Sequence, residues 1–358
     1  MLDQKEVAEE VFSGTKPVEE RHRFDEARLA AWLADHVEGY QGPLTVEQFK
    51  GGQSNPTYCL ITPSRKYVLR RKPPGKLLPS AHAVDREFRV ISALNTVDFP
   101  VARAYALCTD DSVIGTMFYV MSMEEGRVFW NGTLPSVPKE QRAVMYRDEI
   151  ETLAKLHNLD PVAIGLADFG KPGNYFSRQI DRWTKQYRAS ETSRFESMEK
   201  LIEWLPRTVP EQTHTSVVHG DYRLDNMIFH PTEPRVRAIL DWELSTLGDP
   251  LADFTYVIMG WVMQHDGRAS LGGVDFRELG IPDVDEVIEI YCKATGRAGI
   301  PDVNWYFAYN LFRLSAISQG IAGRVRDGTA NSPRAAEAGK RAEPLADMAW
   351  SYAVKAGA

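Results

Sequence analysis

Hydrophobic and polar positions recur along this chain with two different periods, and the change between them divides it. Asp25 to His36 places Leu29, Trp32 and Leu33 on one face of a helix, with Asp25 positioned to cap its start. From Leu44 the period falls to two. Leu44–Phe49, Tyr58–Ile61 and Lys66–Arg70 read as strands, and the polar Gly51–Thr57 segment reads as the turn between the first two. Ala81–Leu94 returns to helical spacing, with Val84, Phe88, Ile91 and Leu94 as its apolar stripe. Val101–Cys108 and Thr116–Met121 supply two more strands. The strand pattern breaks at Ser122–Gly126, and helical spacing dominates afterwards. Helices are predicted over 139–159, 176–188, 283–296, 302–324 and 334–355, with an apolar helix containing Tyr256 to Met263. The expected organisation is a leader (1–24), a small β-rich lobe (25–125) and a large, mainly helical lobe (126–358), in the α+β class.

Composition narrows the classes. The chain has 358 residues, 43% hydrophobic and 25% charged, ordinary values for a globular protein with room for two lobes. A formal net charge of -7 argues against nucleic-acid binding through global charge. No apolar run approaches the roughly 18 residues of a membrane-spanning helix. The first residues, MLDQKEVAEEVFSG, lack the apolar core of a secretory signal. Cys59, Cys108 and Cys292 are far apart and show no metal spacing, so a reduced, cytoplasmic setting is expected.

Chemistry concentrates between Ser216 and Asp241. Val217–Val218 is a short apolar run, His219-Gly220-Asp221 turns polar at once, and Asn226 follows Asp221 by five residues. Met227–Phe229 and Val236–Leu240 read as a hairpin, and Asp241 sits where its second strand ends. Phosphoryl transfer requires this inventory in this order: an Asp that takes or orients the proton of the attacking hydroxyl, then an Asn and an Asp that hold magnesium. Two other readings exist. His219, Asp221 and Asn226 are also turn-capping residues. His219, Asp221 and His230 are also the start of a metal-hydrolase ligand set, which lacks further clustered ligands.

Upstream, the Gly51-Gly52-Gln53-Ser54-Asn55 turn offers backbone amides to a phosphate, or is an ordinary hairpin turn. Glu87 lies on or beside the buried stripe of its helix, where an acid needs a cation. Arg70 on the preceding strand is the natural partner, and Arg86 or Arg89 serves if Glu87 sits at the stripe's edge. His157 reads as a core residue or a support for the loop at Asp221, and Asp253 as a brace for it. The Arg- and aromatic-rich segment 176–188, including Arg178, Arg182 and Tyr187, is either a solvated helix face with some buried rings or a wall for an anionic or bulky substrate. The aromatic stretch 304–324 lines an acceptor pocket or packs the core, and 267–280 reads as a flexible insertion.

The motifs His219-Gly220-Asp221 with Asn226, Ile239-Leu240-Asp241-Trp242-Glu243, Gly248-Asp249-Pro250 with Asp253, and the Gly51–Asn55 turn resemble the aminoglycoside phosphotransferase and choline kinase-like family. The resemblance spans roughly residues 25 to 330. The stretches Tyr67–Gly75 and Leu78–His82 are similar to the kinase-like domains associated with acyl-CoA dehydrogenases. The resemblance implies a bilobal protein-kinase-like fold, with a small antiparallel sheet lobe and ATP and Mg2+ in the cleft. It implies a phosphotransferase acting on a hydroxyl of a small molecule, such as a hydroxyacyl-CoA or related hydroxy acid. An aminoglycoside or choline-type acceptor, or a weakly catalytic nucleotide-binding protein, is the alternative. It also implies a functional link to an acyl-CoA dehydrogenase, and neither nucleic acid nor membrane as partner. By position Asp221 would be the base, Asn226 and Asp241 the magnesium ligands, and Glu87 the holder of the phosphate-contacting cation. The Gly51–Asn55 turn would cover the phosphates, and Met121, Ser122, Met123 and Glu124 would meet the adenine edge. The family usually carries Lys where Arg70 stands, with Lys72 the substitute if the register slips by two.

Overall fold

The expected strands, joined by a two-residue strand in the segment expected to be a leader, assemble into one antiparallel sheet in a computed structural model, which describes residues 14–50, 55–73, 82–330 and 335–358. In chain order they are β1 (Thr15–Lys16), β2 (Thr45–Phe49), β3 (Thr57–Ile61), β4 (Lys66–Arg71), β5 (Ala104–Cys108) and β6 (Phe118–Ser122). Their order across the sheet is β1-β2-β3-β4-β6-β5.

Strand alternation gives the sheet two faces. Tyr67 and Leu69 of β4 enter a core shared with Leu29 and Leu33 of helix α1 (Glu26–His36). Val68 faces the other way, into the core of Val84, Val90 and Ile91 on helix α2 (Val84–Leu94). By period two, Arg70 joins Val68 on the α2 face and Arg71 takes the α1 face. Arg71 donates to the His22 carbonyl at 2.9 Å and lies 5.1 Å from the Phe24 ring centroid. The described part of the expected leader therefore grips the sheet, and β1 extends its edge beside β2.

The remaining chain is mostly helical: α3 (Lys139–His157), α4 (Tyr175–Ala189), α5 (Glu196–Trp204), α6 (Leu251–Met259), α7 (Val284–Thr295), α8 (Val303–Arg326) and α9 (Ala342–Lys355). Helix α8 is buried along most of its length and packs on α4, α6 and α9. The single helix expected over 334–355 is interrupted between Gly339 and Ala342. Pro344 lies in the first turn of α9, where its missing N–H is harmless; in a continuous helix its ring would strike the carbonyl four residues back. The helix around Tyr256 ends at Met259, and the Gly260 carbonyl accepts instead from Leu271 N–H at 2.7 Å. Residues 267–280 include a short helix, Phe276–Leu279, and pack on the 129–137 loop through a Gly132–Arg268 backbone bond of 2.8 Å.

Two small antiparallel ladders stand where the lobes meet. Strands β8 (Met227–Phe229) and β9 (Val236–Ile239) form the expected hairpin, while β7 (Ser216–Val218) pairs with β10 (Thr246–Gly248). They hold the loops 219–226 and 240–245 side by side. The lobes connect through residues 123–126. A Cβ on Gly126 would lie 2.1 Å from the Phe229 carbonyl oxygen, so only glycine lets Arg127 pair with Phe229. Among the described residues no helix is long and apolar enough to cross a membrane.

Candidate active site

The loop after β7 is built around Asp253. Its carboxylate, 2% exposed on α6, accepts the backbone N–H groups of His219 and Gly220, the latter at 2.8 Å. Burial opposes that charge, but the neighbouring His157 and His219 and the backbone donors outweigh it and hold Asp253 below its ordinary range. His157 stands 3.6 Å away and is anchored at its other nitrogen by the Tyr291 hydroxyl at 2.7 Å. Both residues therefore brace the loop, as expected, and neither reaches reacting atoms. The His219 imidazole donates from Nε2 to the Leu240 carbonyl at 2.8 Å and accepts the Asp221 N–H on Nδ1 at 3.2 Å. It ties the loop to the residue preceding Asp241. Gly220 has a φ of +85°, a backbone shape that side chains rarely adopt.

Asp221 emerges with its carboxylate held on both oxygens. Oδ2 accepts from the Asn226 amide at 3.0 Å and from Arg223 at 3.2 Å, and Oδ1 accepts from the Tyr256 hydroxyl at 3.2 Å. Asn226 also donates to the Asp221 carbonyl at 2.9 Å, so its amide nitrogen is committed to Asp221. Its side-chain oxygen is the end left for a cation. Asp241 adopts a left-handed backbone, φ 64° and ψ 59°, a costly shape for a residue other than glycine. That turn presents its carboxylate to the sheet lobe, where Oδ1 accepts from Arg70 at 2.7 Å.

Arg70 is the hub between the lobes. Its Nε lies 3.0 Å from Glu87, and Nη2 reaches both Asp241 and, at 3.4 Å, Glu243. This selects Arg70 over Arg86 and Arg89 as the partner of Glu87. Lys72 instead faces Asp85 at 3.8 Å. The Asn55 amide adds to the hub, donating to Glu87 at 3.0 Å and to Glu243 at 3.4 Å, while its oxygen meets His82 Nδ1 at 3.0 Å. Burial pushes Glu87 up to about 7, against the pull of Arg70 and the Tyr119 hydroxyl bond. Burial also works against the charge on Arg70, but Glu87 foremost, with Asp241 and Glu243, holds it above its ordinary value. Three carboxyl groups thus share one guanidinium, a cluster short of positive charge.

Magnesium fits that deficit. It takes hard oxygen ligands and commonly uses one or two protein groups, with phosphates and water supplying the rest. Asp241, whose side chain is 35% exposed, and the Asn226 oxygen are suitable donors. Among the described residues no cluster of three or more His, Cys, Asp or Glu could hold a metal by itself. That removes the support for the hydrolase reading, in which His230 was a ligand. His230 instead accepts the Thr232 and Glu233 N–H groups within its hairpin turn.

The other expected positions fall as follows. Gly51, Gly52, Gln53 and Ser54 lie outside the described residues. Met121 is buried in β6. Ser122 donates to Glu124 at 2.6 Å, and Glu124 accepts from Arg237 at 2.8 Å, which joins the end of β6 to β9. Met123 lies between them in the connection. The three residues of α4 diverge. Tyr187 is fully buried, its hydroxyl shared between Ser193 O and Phe195 N, which makes it a core residue rather than an open wall. Arg178 is spent on the Lys171 and Gly173 carbonyls. Arg182 is exposed and stacks on Trp183. Sequence reasoning missed Tyr256, Arg223 and Arg313 as neighbours of Asp221; Arg313 donates to the Gly220 carbonyl at 2.6 Å. Arg223, two residues after Asp221, was the one with a local signal.

Comparisons with known proteins agree with this geometry. A family model described as "Phosphotransferase enzyme family" matches residues 45–289. Acyl-CoA dehydrogenase family member 10 of Mus musculus is 43% identical over 346 residues, covering 96% of this chain and 32% of the mouse protein. Acyl-CoA dehydrogenase family member 11 of Rattus norvegicus is 41% identical over 345 residues, covering 94% of this chain and 44% of the rat protein. The chain thus spans less than half the length of these curated relatives. Among solved structures, a "putative aminoglycoside phosphotransferase" from Ralstonia eutropha is 51% identical with a TM-score of 0.87, covering 93% of this chain and 99% of that one. A choline kinase from Cryptosporidium parvum shares the fold at 11% identity and a TM-score of 0.58, covering 92% and 95%.

Proposed function

The chain belongs to the phosphotransferase enzyme family and is a small-molecule kinase, and from that premise we propose that it moves the γ-phosphoryl group of ATP, with magnesium, to a hydroxyl of a hydroxyacyl-CoA or related hydroxy acid. The observation that carries the reading is that the loops bearing Asp221, Asn226 and Asp241 lie side by side, the Leu240 N–H donating to the Asn226 carbonyl at 2.8 Å, with Asp241 tied to the Arg70–Glu87 pair. Magnesium, held by Asn226 and Asp241, would offset the charge of the phosphates.

Asp221 takes the proton of the acceptor hydroxyl as that oxygen bonds to the γ-phosphorus and the bond to ADP breaks. Asn226, Arg223 and Tyr256 keep the carboxylate aimed, so most of the rate gain comes from positioning and charge neutralisation. Arg70 steadies the phosphate side, and Glu87 steadies Arg70. The acyl-CoA part of the reading is supported by the longer relatives, which are named as acyl-CoA dehydrogenase family members.

Purified protein is to be incubated with ATP and magnesium across hydroxyacyl-CoAs, free hydroxy acids, amino alcohols and aminoglycosides, and phosphorylated products identified by mass. Transfer to a hydroxyacyl-CoA or hydroxy acid is expected. Exclusive transfer to aminoglycosides or amino alcohols would replace the acceptor class; ATP binding without transfer to any acceptor would favour a nucleotide-binding scaffold. Asp241→Ala is expected to weaken magnesium–nucleotide binding, and unchanged affinity by calorimetry would contradict its role as metal ligand.

A further inference from the structure

Next to Asp221 the helical lobe presents a run of hydrogen-bond donors, two of which, Arg313 Nε and the Trp183 indole N–H, have no acceptor. The run starts at Tyr256, whose hydroxyl meets Asp221 at 3.2 Å. The Arg313 guanidinium lies 5.1 Å from the Tyr256 ring centroid and 5.7 Å from that of Trp183. Arg182 lies 5.5 Å from the Trp183 ring. Two arginines therefore share one indole.

Neither arginine forms an ion pair among the described residues. Arg313 is only 9% exposed; one of its nitrogens donates to the Gly220 carbonyl, yet its Nε has no hydrogen-bond partner. The Trp183 indole N–H, on a side chain equally buried, has none either. Cation–π contact compensates part of the burial of a guanidinium, but an isolated buried charge stays costly until an anion joins it. A site made of donors alone is complementary to a group that only accepts, a carboxylate or a phosphate.

We propose that Arg182, Trp183 and Arg313 form an anion subsite on the acceptor side of the cleft, and that the acceptor is a hydroxylated molecule whose carboxylate or phosphate docks there while its hydroxyl meets Asp221. The proposal rests on the phosphotransfer reading and narrows it. A polycationic sugar or a quaternary amino alcohol would meet two guanidinium groups that have no ion-pair partner among the described residues, whereas a hydroxy acid or a phosphate-bearing thioester would supply one.

The test pairs acceptors that differ only in charge. A free hydroxy acid is compared with its methyl ester, and a hydroxyacyl-CoA with the matching N-acetylcysteamine thioester, which lacks the phosphates. The selectivity for the charged member, as a ratio of kcat/KM values, is measured in wild type, Arg182→Ala and Arg182→Lys. Arg182 is exposed, so its variants fold; Arg313→Lys serves as a second probe. The wild type is expected to prefer the anion. Arg182→Ala should lower that ratio about tenfold or more, and Arg182→Lys should restore part of it. Which pair responds tells a carboxylate source from a phosphate source.

Equal use of both members of each pair, or an unchanged ratio in Arg182→Ala, overturns the subsite and leaves the phosphotransfer reading standing. Transfer to no acceptor overturns the phosphotransfer reading instead. The subsite is then decided by calorimetric titration with the deoxy acid and the unhydroxylated acyl-CoA, with magnesium and a non-hydrolysable ATP analogue filling the phosphate side. Saturable binding that Arg182→Ala removes supports it, and no binding overturns it.

Discussion

Asp221 shows how firmly the placement of a carboxylate is set by its neighbours. Its two oxygens accept from Asn226, Arg223 and Tyr256, which come from the loop itself and from α6. Such a carboxylate has little freedom to turn away from a hydroxyl. Asp221→Asn keeps the shape, cannot take a proton, and sets an amide N–H against one of those donors. Transfer is expected to fall by about 10²–10⁴-fold, the usual worth of a general base, while nucleotide affinity stays within a few-fold. Steady-state turnover with a parallel nucleotide titration reads both, and near-wild-type turnover would remove Asp221 from the reaction. Strand alternation made Arg70 and Glu87 legible as a pair, because the faces of one strand and one helix can be read from spacing. No spacing reveals that an arginine carries contacts to three carboxylates at once, which its extended fork allows and a compact ammonium does not.

At the scale of elements, α3 is the spine against which the 219–226 loop and the hairpin are set. The Tyr222 hydroxyl donates to the Glu149 carbonyl at 2.8 Å, and Asp148 accepts the Val236 N–H. The side chain of Glu149 is 2% exposed, and its Oε2 has no hydrogen-bond partner. Burial, with Asp148 and Asp225 adding to it, pushes this carboxyl from an ordinary 4.5 up to about 8. The folded protein therefore holds this proton more tightly than the unfolded chain. The stability it contributes is complete below about pH 4.5, declines as the pH rises, and is lost by passage through about 8. Across that window the slope is about 1.4 kcal/mol per pH unit for one proton. Glu149→Gln removes the titration, so the variant should gain on wild type by a few kcal/mol between pH 5 and 8. Urea unfolding at pH 5, 6.5 and 8 measures the difference, from which other titrating groups such as Glu87 cancel. A difference independent of pH would mean that Glu149 is ionised in the folded protein. Long periodic elements such as α3 and the strands β2 to β4 were readable to within a residue or two at most ends. The two-residue β1, the helix α5 and the strand β10 were not. Two residues carry no period, and the short ladder strands depend on partners more than two dozen residues away in sequence.

On the scale of the whole molecule, the sheet lobe and the helical lobe are joined by the 123–126 connection, by the Arg70 and Asn55 contacts with Asp241 and Glu243, by the Glu124–Arg237 pair, by Arg86 and Arg89 of α2 donating to the Phe169 and Gly165 carbonyls, and by the Ile239 N–H donating to the Pro100 carbonyl. The end of the last sheet strand at Ser122 was visible as a change of period. The donor run beside Asp221 was not, since Trp183, Tyr256 and Arg313 lie on three helices that only tertiary packing brings together. The connection itself offers a test of whether lobe placement sets nucleotide binding. A Cβ on Gly126 would lie 2.1 Å from the Phe229 carbonyl oxygen and 2.5 Å from Ile228 Cγ2. The first is backbone of β8, which follows directly on Asn226, so Gly126→Ala must move the connection rather than a flexible tip. Overpacking of this kind costs about 1–3 kcal/mol, and the displaced sheet lobe should bring a several-fold rise in the KM for ATP. Gly299→Ala is the matched control, since a Cβ there meets nothing within 4 Å and its backbone shape suits alanine. Thermal unfolding and ATP kinetics on both variants separate the outcomes. A loss of stability in Gly126→Ala with an unchanged KM would show that the other contacts between the lobes, Arg70 with Asp241 and Phe99 with Trp242 among them, hold the nucleotide site in place, while losses in both place the nucleotide's affinity under the control of this one close approach.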